Sequence, residues 1–256
     1  MLYRRLPLQG MRNARELGGY PVAGGGVTRY QVFIRSDSPH RLTEDDFLFL
    51  KNYGVVAAVD FRGDPEIARK PSLFENASGF EFYRSPTFNS QVAFASRQNQ
   101  EPGRPAMDSF VNWSEKYIEM LTDCKEWVRD TLRIMINIKG GVVFNCATGK
   151  DRTGIISALL LSSVGVAQED TVADYCISEL YLAEEYAELL EVYNRMWPED
   201  KATINDPFFK TSPSNMAAML NHLKDTYGGV NEYLHSCGLD DGELITLHEK
   251  FVEFTV

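Results

Sequence analysis

Along this chain, short unbroken apolar runs alternate with longer stretches in which apolar residues return every third or fourth position. VVAAVD at 55–60 and VVF at 142–144 are of the first kind, and VFIRS at 32–36 and FEFYRS at 80–85 are short segments that mix apolar and polar residues. Each is too short for a typical helix and rich in β-branched or aromatic residues, so each predicts a strand, buried where the run is continuous. Gly18-Gly19 and Gly24-Gly25-Gly26 bracket alternating segments and predict a twisted hairpin leading into residues 32–36. Thr43, followed by Glu44, Asp45 and Asp46 and then Phe47, Leu48 and Leu50, predicts a capped helix start. The polar stretch at about 86–108 holds Pro86, Pro102, Gly103 and Pro105 and predicts a long loop of the kind that forms lids or binding segments.

Residues 109–138 carry Phe110, Trp113, Tyr117, Leu121, Trp127, Leu132 and Ile136 at helical intervals, until Gly140-Gly141 stops the pattern. From Thr153, TGIISALLLSSVGV is apolar on nearly every side, as in a helix packed inside a protein. After about residue 168 the pattern is helical and acidic, most clearly in YLAEEYAELLEVYNRM. Strands alternating with helices and followed by a helical tail predict an α/β fold. Its central sheet, flanked by helices, would occupy about 1–167, with a helical C-terminal extension at about 168–256, all within one domain.

Composition narrows this picture. At 44% hydrophobic and 24% charged residues the chain suits an ordinary globular protein. A formal net charge of -10 argues against nucleic-acid binding and against standing attachment to anionic membranes, both of which call for a basic face. Residues 1–41 nevertheless hold Arg4, Arg5, Arg12, Arg15, Arg29, Arg35 and Arg41 against Glu16 and Asp37, a bias whose usual reading is a solvated surface and whose alternative is a local basic pocket. No apolar run approaches the ~20 residues that span a bilayer, and MLYRRLPLQG lacks the apolar core of a signal peptide. Cys124, Cys146, Cys176 and Cys237 are far apart, with neither a C-x-x-C pair nor zinc-site spacing. The expectation is a cytoplasmic protein in a reducing compartment, without stable membrane insertion, metal or cofactor.

The segment GGVVFNCATGKDRTGIISALLL, residues 140–161, joins a strand, a glycine-containing loop and a helix. It contains Cys146-x5-Arg152; six positions after the other cysteines stand Asp130, Leu182 and Glu243. A loop between a buried strand and a helix can wrap the backbone N–H groups of Ala147, Thr148, Gly149, Lys150 and Asp151 around a dianion, with the helix N-terminus adding a favourable field. Gly149 allows a close turn, and Arg152 offers a planar fork to two phosphate oxygens. The same donors favour a thiolate at Cys146, and Thr153 can hydrogen-bond its sulfur. Asp60, at the end of an apolar strand, stands where ligands collect in open α/β sheets and is a candidate proton donor; a structural bond to loop amides or to Arg62 is its alternative role. Lys150 adds a positive charge that would suit a substrate with more than one phosphate.

NCATGKDRTG resembles the signature loop of the protein-tyrosine-phosphatase superfamily, and in particular of the bacterial tyrosine/serine phosphatase family. NARELGGY at 13–20, IRSDSPHRLTEDD at 34–46, VVAAVDFRGDPE at 55–66, VADYCIS at 172–178 and YGGVNEYLHSCGL at 227–239 resemble that family's blocks in the same order. The resemblance implies hydrolysis of phosphate monoesters through a phosphocysteine at Cys146, with Asp151 as the general acid. Asp108 sits where relatives with a mobile acid loop carry their donor. Substrates would be phosphotyrosine or phosphoserine proteins, or phosphoinositides. One departure stands out: the family has histidine before the nucleophile and this chain has Asn145, which keeps a donor but cannot carry a charge. Reduced activity or a displaced pH optimum would follow, and the alternative is a weakly active or inactive phosphate-binding module. WPED at 197–200 looks like the acid loop of eukaryotic relatives, but it follows the nucleophile and is read as coincidence.

Overall fold

The continuous apolar runs become the strands of one sheet, and their alternation decides what each face packs against. The computed structural model describes residues 4–87, 112–199 and 202–254. Its strands are β1 (Arg15–Glu16), β2 (Val27–Thr28), β3 (Phe33–Ser36), β4 (Val55–Asp60), β5 (Glu81–Arg84), β6 (Gly141–Asn145) and β7 (Val252–Glu253). The main sheet runs β1-β3-β6-β4-β5; β3, β6, β4 and β5 are parallel, and β1 is antiparallel at one edge. Side chains alternate across a strand. Ile34, Ala58 and Val143 therefore face one layer, with Leu50 and Tyr53, while Phe33, Val59, Val142 and Phe144 face the larger core.

The first layer is covered by α1 (Glu44–Asn52). Thr43 caps it as the pattern predicts: its hydroxyl accepts from the Asp46 amide, and the Asp46 carboxylate accepts from the Thr43 amide at 3.0 Å. After β4 comes α2 (Asp64–Arg69), a short helix that the hydrophobic pattern does not reveal because none of its residues is buried. The helical region predicted at 109–138 divides at Cys124 into α3 (Trp113–Asp123) and α4 (Lys125–Asn137). Phe110 and Asp108 lie outside the described residues.

The apolar run after the loop is α5 (Arg152–Ser163), buried from Arg152 to Leu161. Five further helices follow: α6 (Gln168–Tyr181), α7 (Ala183–Met196), α8 (Pro213–Tyr227), α9 (Val230–Cys237) and α10 (Asp241–Phe251). The segment YLAEEYAELLEVYNRM is not one helix, since the chain turns at Leu182 between α6 and α7. Met216, Leu223, Tyr233, Leu234 and Phe251 from these helices share a single core with Phe33, Phe144 and Ile155. The tail is also not helical to its end. β7 pairs antiparallel with β2, whose glycine-bracketed hairpin is held by Thr28 N to Tyr20 O at 2.8 Å. Pairing between residues so far apart leaves no local signal. No helix among the described residues is long and apolar enough to cross a membrane.

Strand order decides where chemistry can gather. β6 enters between β3 and β4, with Asn145 opposite both Ser36 and Asp60, so three parallel strands end together. In sheets of this kind the crevice beyond the carboxyl ends, where strand order reverses, is the usual ligand position.

Asp46 ties this end of the sheet to the N-terminal segment, because its carboxylate also accepts from the amides of Gln9 at 2.8 Å and Gly10 at 2.9 Å. Burial alone would push the carboxyl up, but the amides of Thr43, Gln9 and Gly10 hold it below its ordinary value. Its contribution is therefore present at neutral pH and is lost as pH falls through the acid range. Asp46→Ala should cost about 2 kcal/mol at pH 7, the scale of losing a helix cap and charged hydrogen bonds. In urea melts that deficit should shrink toward pH 3.

Candidate active site

β6 ends at Asn145, and the loop Cys146–Asp151 carries the chain into α5. Within this loop the two kinds of backbone group have different fates. The carbonyl of Cys146 accepts from the Asn145 side-chain amide at 3.1 Å, that of Ala147 from the Ser38 amide at 3.0 Å, and that of Thr148 from the Asn13 side chain at 2.9 Å. Gly149 O accepts from the Arg35 guanidinium at 2.7 Å. Lys150 O accepts from the Gly154 amide at 3.0 Å, and Asp151 O from the Ile155 amide at 2.8 Å. Every carbonyl from Cys146 to Asp151 is thus satisfied from outside the loop. The amides of Ala147 through Arg152, by contrast, donate to no acceptor among the described residues.

In a trans peptide the C=O and the following N–H share a plane and point in opposite directions. Pinning the oxygens on one side therefore aims the N–H groups to the other, which makes a cradle for an anion at the start of a helix. Gly149 makes the turn possible. Its φ is +68°, and a Cβ there would lie 2.2 Å from Ser36 O.

Arg152 is buried and paired with Glu66 of α2: Nη1 and Nη2 donate to the two carboxylate oxygens at 2.8 and 2.6 Å, and Nη1 also donates to Phe61 O at 3.2 Å. Burial works against the guanidinium charge, but Glu66, with help from Cys146 and Asp151, more than offsets this and raises the pKa. Glu66 in turn is pushed up by burial and brought below its ordinary value by Arg152. The donors left over, Nε–H and one Nη2–H, share one edge of the guanidinium, the geometry that binds two oxygens of an oxyanion.

Asp151 accepts from Tyr117 Oη at 2.5 Å through Oδ1, and Tyr175 Oη stands 2.8 Å from Tyr117 Oη. With the Tyr117 proton directed at Asp151, Tyr175 is the donor to Tyr117. The other carboxylate oxygen, Oδ2, has no partner among the described residues. Asp60 is differently engaged: both of its oxygens accept from Arg62, at 2.7 to 3.1 Å, and both side chains are buried. That is the structural bond foreseen as its alternative role.

The expectation that the Lys150 charge suits a second phosphate is corrected by its surroundings. The side chain is buried, Nζ donates to Phe208 O at 2.6 Å, and the ammonium lies 4.9 Å from the Trp113 ring centre. What Lys150 offers an anion is its backbone amide. Thr153 Oγ1 is buried at the base of the loop without a partner among the described residues, as is Asn145 Oδ1. Trp197 of WPED packs with Tyr193 and Ala202 in a satellite cluster, and Asp200 lies outside the described residues.

The sequence reading missed Glu66, Arg35, Asn13 and Tyr117. An arginine at an inward-facing position of a buried strand was the available signal for Arg35, and Glu66 stood in a quoted block without a role. Asn13 likewise headed a quoted block without a role, and nothing local marked Tyr117.

Comparison with known proteins identifies the family. The model of the tyrosine phosphatase family matches residues 6–253. A tyrosine-protein phosphatase of Nostoc commune is 29% identical over 225 residues, which cover 83% of this chain and 71% of the relative. The triple specificity protein phosphatase PtpB of Mycobacterium tuberculosis is 29% identical over 268 residues, covering 93% of this chain and 95% of the relative. With a match that runs through the loop and every element around it, this chain belongs to the tyrosine phosphatase family and is a phosphatase of that type.

Proposed function

We propose that Cys146 is the nucleophile of a two-step phosphoryl transfer carried out in the cradle of the loop. The observation that carries this reading is the division of the loop backbone, carbonyls tied outward and amides left for an anion. In the first step the Cys146 thiolate attacks phosphorus and the bond to the ester oxygen breaks, while Asp151 gives that oxygen a proton from Oδ2. The Arg152 edge and the loop amides hold the charge that spreads over the equatorial oxygens. In the second step water attacks the phosphocysteine and gives its proton to Asp151, and the P–S bond breaks. Inorganic phosphate leaves, and the Thr153 hydroxyl is available to the departing sulfur. Cys146 supplies the electron pair of the first step and water that of the second, and the proton that Asp151 gives in the first step it regains from water in the second.

Phosphotyrosine in proteins is the proposed first substrate. Trp113 and Phe208, both half-buried, offer aromatic surface next to Lys150, which suits an aryl group. Phosphoserine peptides and phosphoinositides are the comparison substrates, since the mycobacterial relative carries a triple specificity in its name. The free cysteines suit a reducing compartment, and a cytoplasmic location is part of the proposal. Side-by-side kcat/KM values for the three substrates on one preparation test the preference.

Cys146→Ser should abolish phosphate release while largely keeping oxyanion binding, and turnover near the wild-type rate would remove the nucleophile assignment. Arg152→Ala should lower both, with roughly two or more orders of magnitude lost in rate. Asp151→Asn separates an acid from a structural carboxylate. As the acid, it should cost far more on an alkyl phosphate than on an activated aryl phosphate, whose leaving group needs no proton. Equal losses on both esters would deny it that role. Glu66→Gln keeps a contact to Arg152 but not the charged fork, so kcat/KM should fall about tenfold with the leaving-group ratio unchanged.

A further inference from the structure

Three of the loop carbonyls lead back to a single carboxylate that the catalytic scheme does not use. Asp174, on α6, is buried with Arg15 and Arg35: Arg15 Nε donates to Oδ1 at 3.0 Å, and Arg35 Nη1 donates to Oδ2. Tyr20 Oη stands 3.3 Å from Oδ1. Arg15 is fastened further to α6, with Nη2 donating to Asp174 O at 2.6 Å and to Ser178 Oγ at 2.9 Å.

Both arginines reach onward to the loop. Arg35 Nη2 donates to Gly149 O at 2.7 Å and, at 3.4 Å, to Lys150 O. Arg15 Nη1 donates to Asn13 Oδ1 at 2.5 Å, which leaves the amide nitrogen of Asn13 to donate to Thr148 O at 2.9 Å. The carbonyls of three consecutive loop residues are thereby held by two arms that meet on one carboxylate. Gly154 makes the close approach possible, because a Cβ there would lie 3.2 Å from the Tyr175 ring and 3.4 Å from Arg35 Nη2.

We propose that Asp174 is a positioning residue for the phosphate-binding loop, fixing through Arg35 and through Arg15–Asn13 the orientation of the peptide planes after Thr148, Gly149 and Lys150. The inference rests on the reading of that loop as the anion site. Asp174 remains ionised across the working range: burial pushes its carboxyl up, and the two guanidinium groups bring it down to about 2. The trio carries one net positive charge behind the loop, of a sign that favours a bound dianion. Without the carboxylate, two buried guanidinium groups repel each other and turn to other acceptors, which frees the loop carbonyls to rotate.

The test measures tungstate binding by calorimetry, together with kcat and KM on an aryl phosphate and stability in urea. Its variants are Asp174→Asn and Arg35→Lys, where lysine keeps the charge next to Asp174 but cannot also span to Gly149 O. Lys250→Met serves as a stability control. Lys250 Nζ donates to the carbonyls of Met135 and Ile138, before the start of β6 and at the far end of that strand from the loop. Asp174→Asn and Arg35→Lys should each bind tungstate about tenfold or more weakly, with kcat falling in parallel. Lys250→Met should lose stability and keep its tungstate affinity. Either loop variant, once folded, binding tungstate within about twofold of wild type would overturn the proposal, as would an equal loss in Lys250→Met. Should Asp174→Asn not fold, Arg35→Lys decides. A wild-type protein that binds no tungstate would end the reading of the loop and this proposal with it; normal wild-type binding with no loss in the variants ends the proposal alone.

Discussion

The planarity of the peptide bond is the constraint on which this site depends. A short loop cannot choose the direction of its N–H groups independently of its carbonyls, so whatever holds the oxygens also aims the donors. Here the oxygens are held by the Ser38 amide, by side chains of Asn13, Arg35 and Asn145, and by the first turn of α5. These groups come from four separate parts of the chain. The cradle is therefore a property of how β1, β3, β6 and α5 are assembled, and the loop residues alone would not hold it.

Buried charge is used for direction more than for stability. Arg152 with Glu66, Asp60 with Arg62, and Asp174 with two arginines each give up hydration that their mutual attraction repays only in good geometry. Each pair fixes something an exposed salt bridge would leave loose. Glu66 sets the plane of the guanidinium, so that its open edge has one orientation. Arg62 reaches from Asp60 to Ser38 Oγ at 2.7 Å, steadying the residue whose amide holds Ala147 O.

The helices after residue 168 are joined to the same machinery. α6 carries Asp174 toward the arginines and Tyr175 toward the hydroxyl that holds Asp151, while the segment at 207–210 receives the Lys150 ammonium. The loop, Asp151 and the helical region are thus connected by hydrogen bonds as well as by a shared core. A change in α6 would reach both the loop and Asp151.

What the sequence by itself determined is whatever depends on near neighbours. Short strand-forming segments marked β3, β4, β5 and β6, Thr43 marked the start of α1, and the order strand, Cys146, Gly149, Arg152, apolar helix marked the loop, because turn geometry and capping are settled within a few residues. Family likeness extended this to fold and reaction class. The tertiary structure decided the rest: that Glu66 grips Arg152, that Tyr117 holds Asp151, that Asp60 is spent on Arg62, and that Lys150 is buried. It also decided that β7, after the last helix, pairs with β2. These outcomes join residues from two to more than two hundred positions apart. They are fixed by which strand enters the sheet between which others and by which polar groups, once buried, find a partner there; no local pattern carries that information.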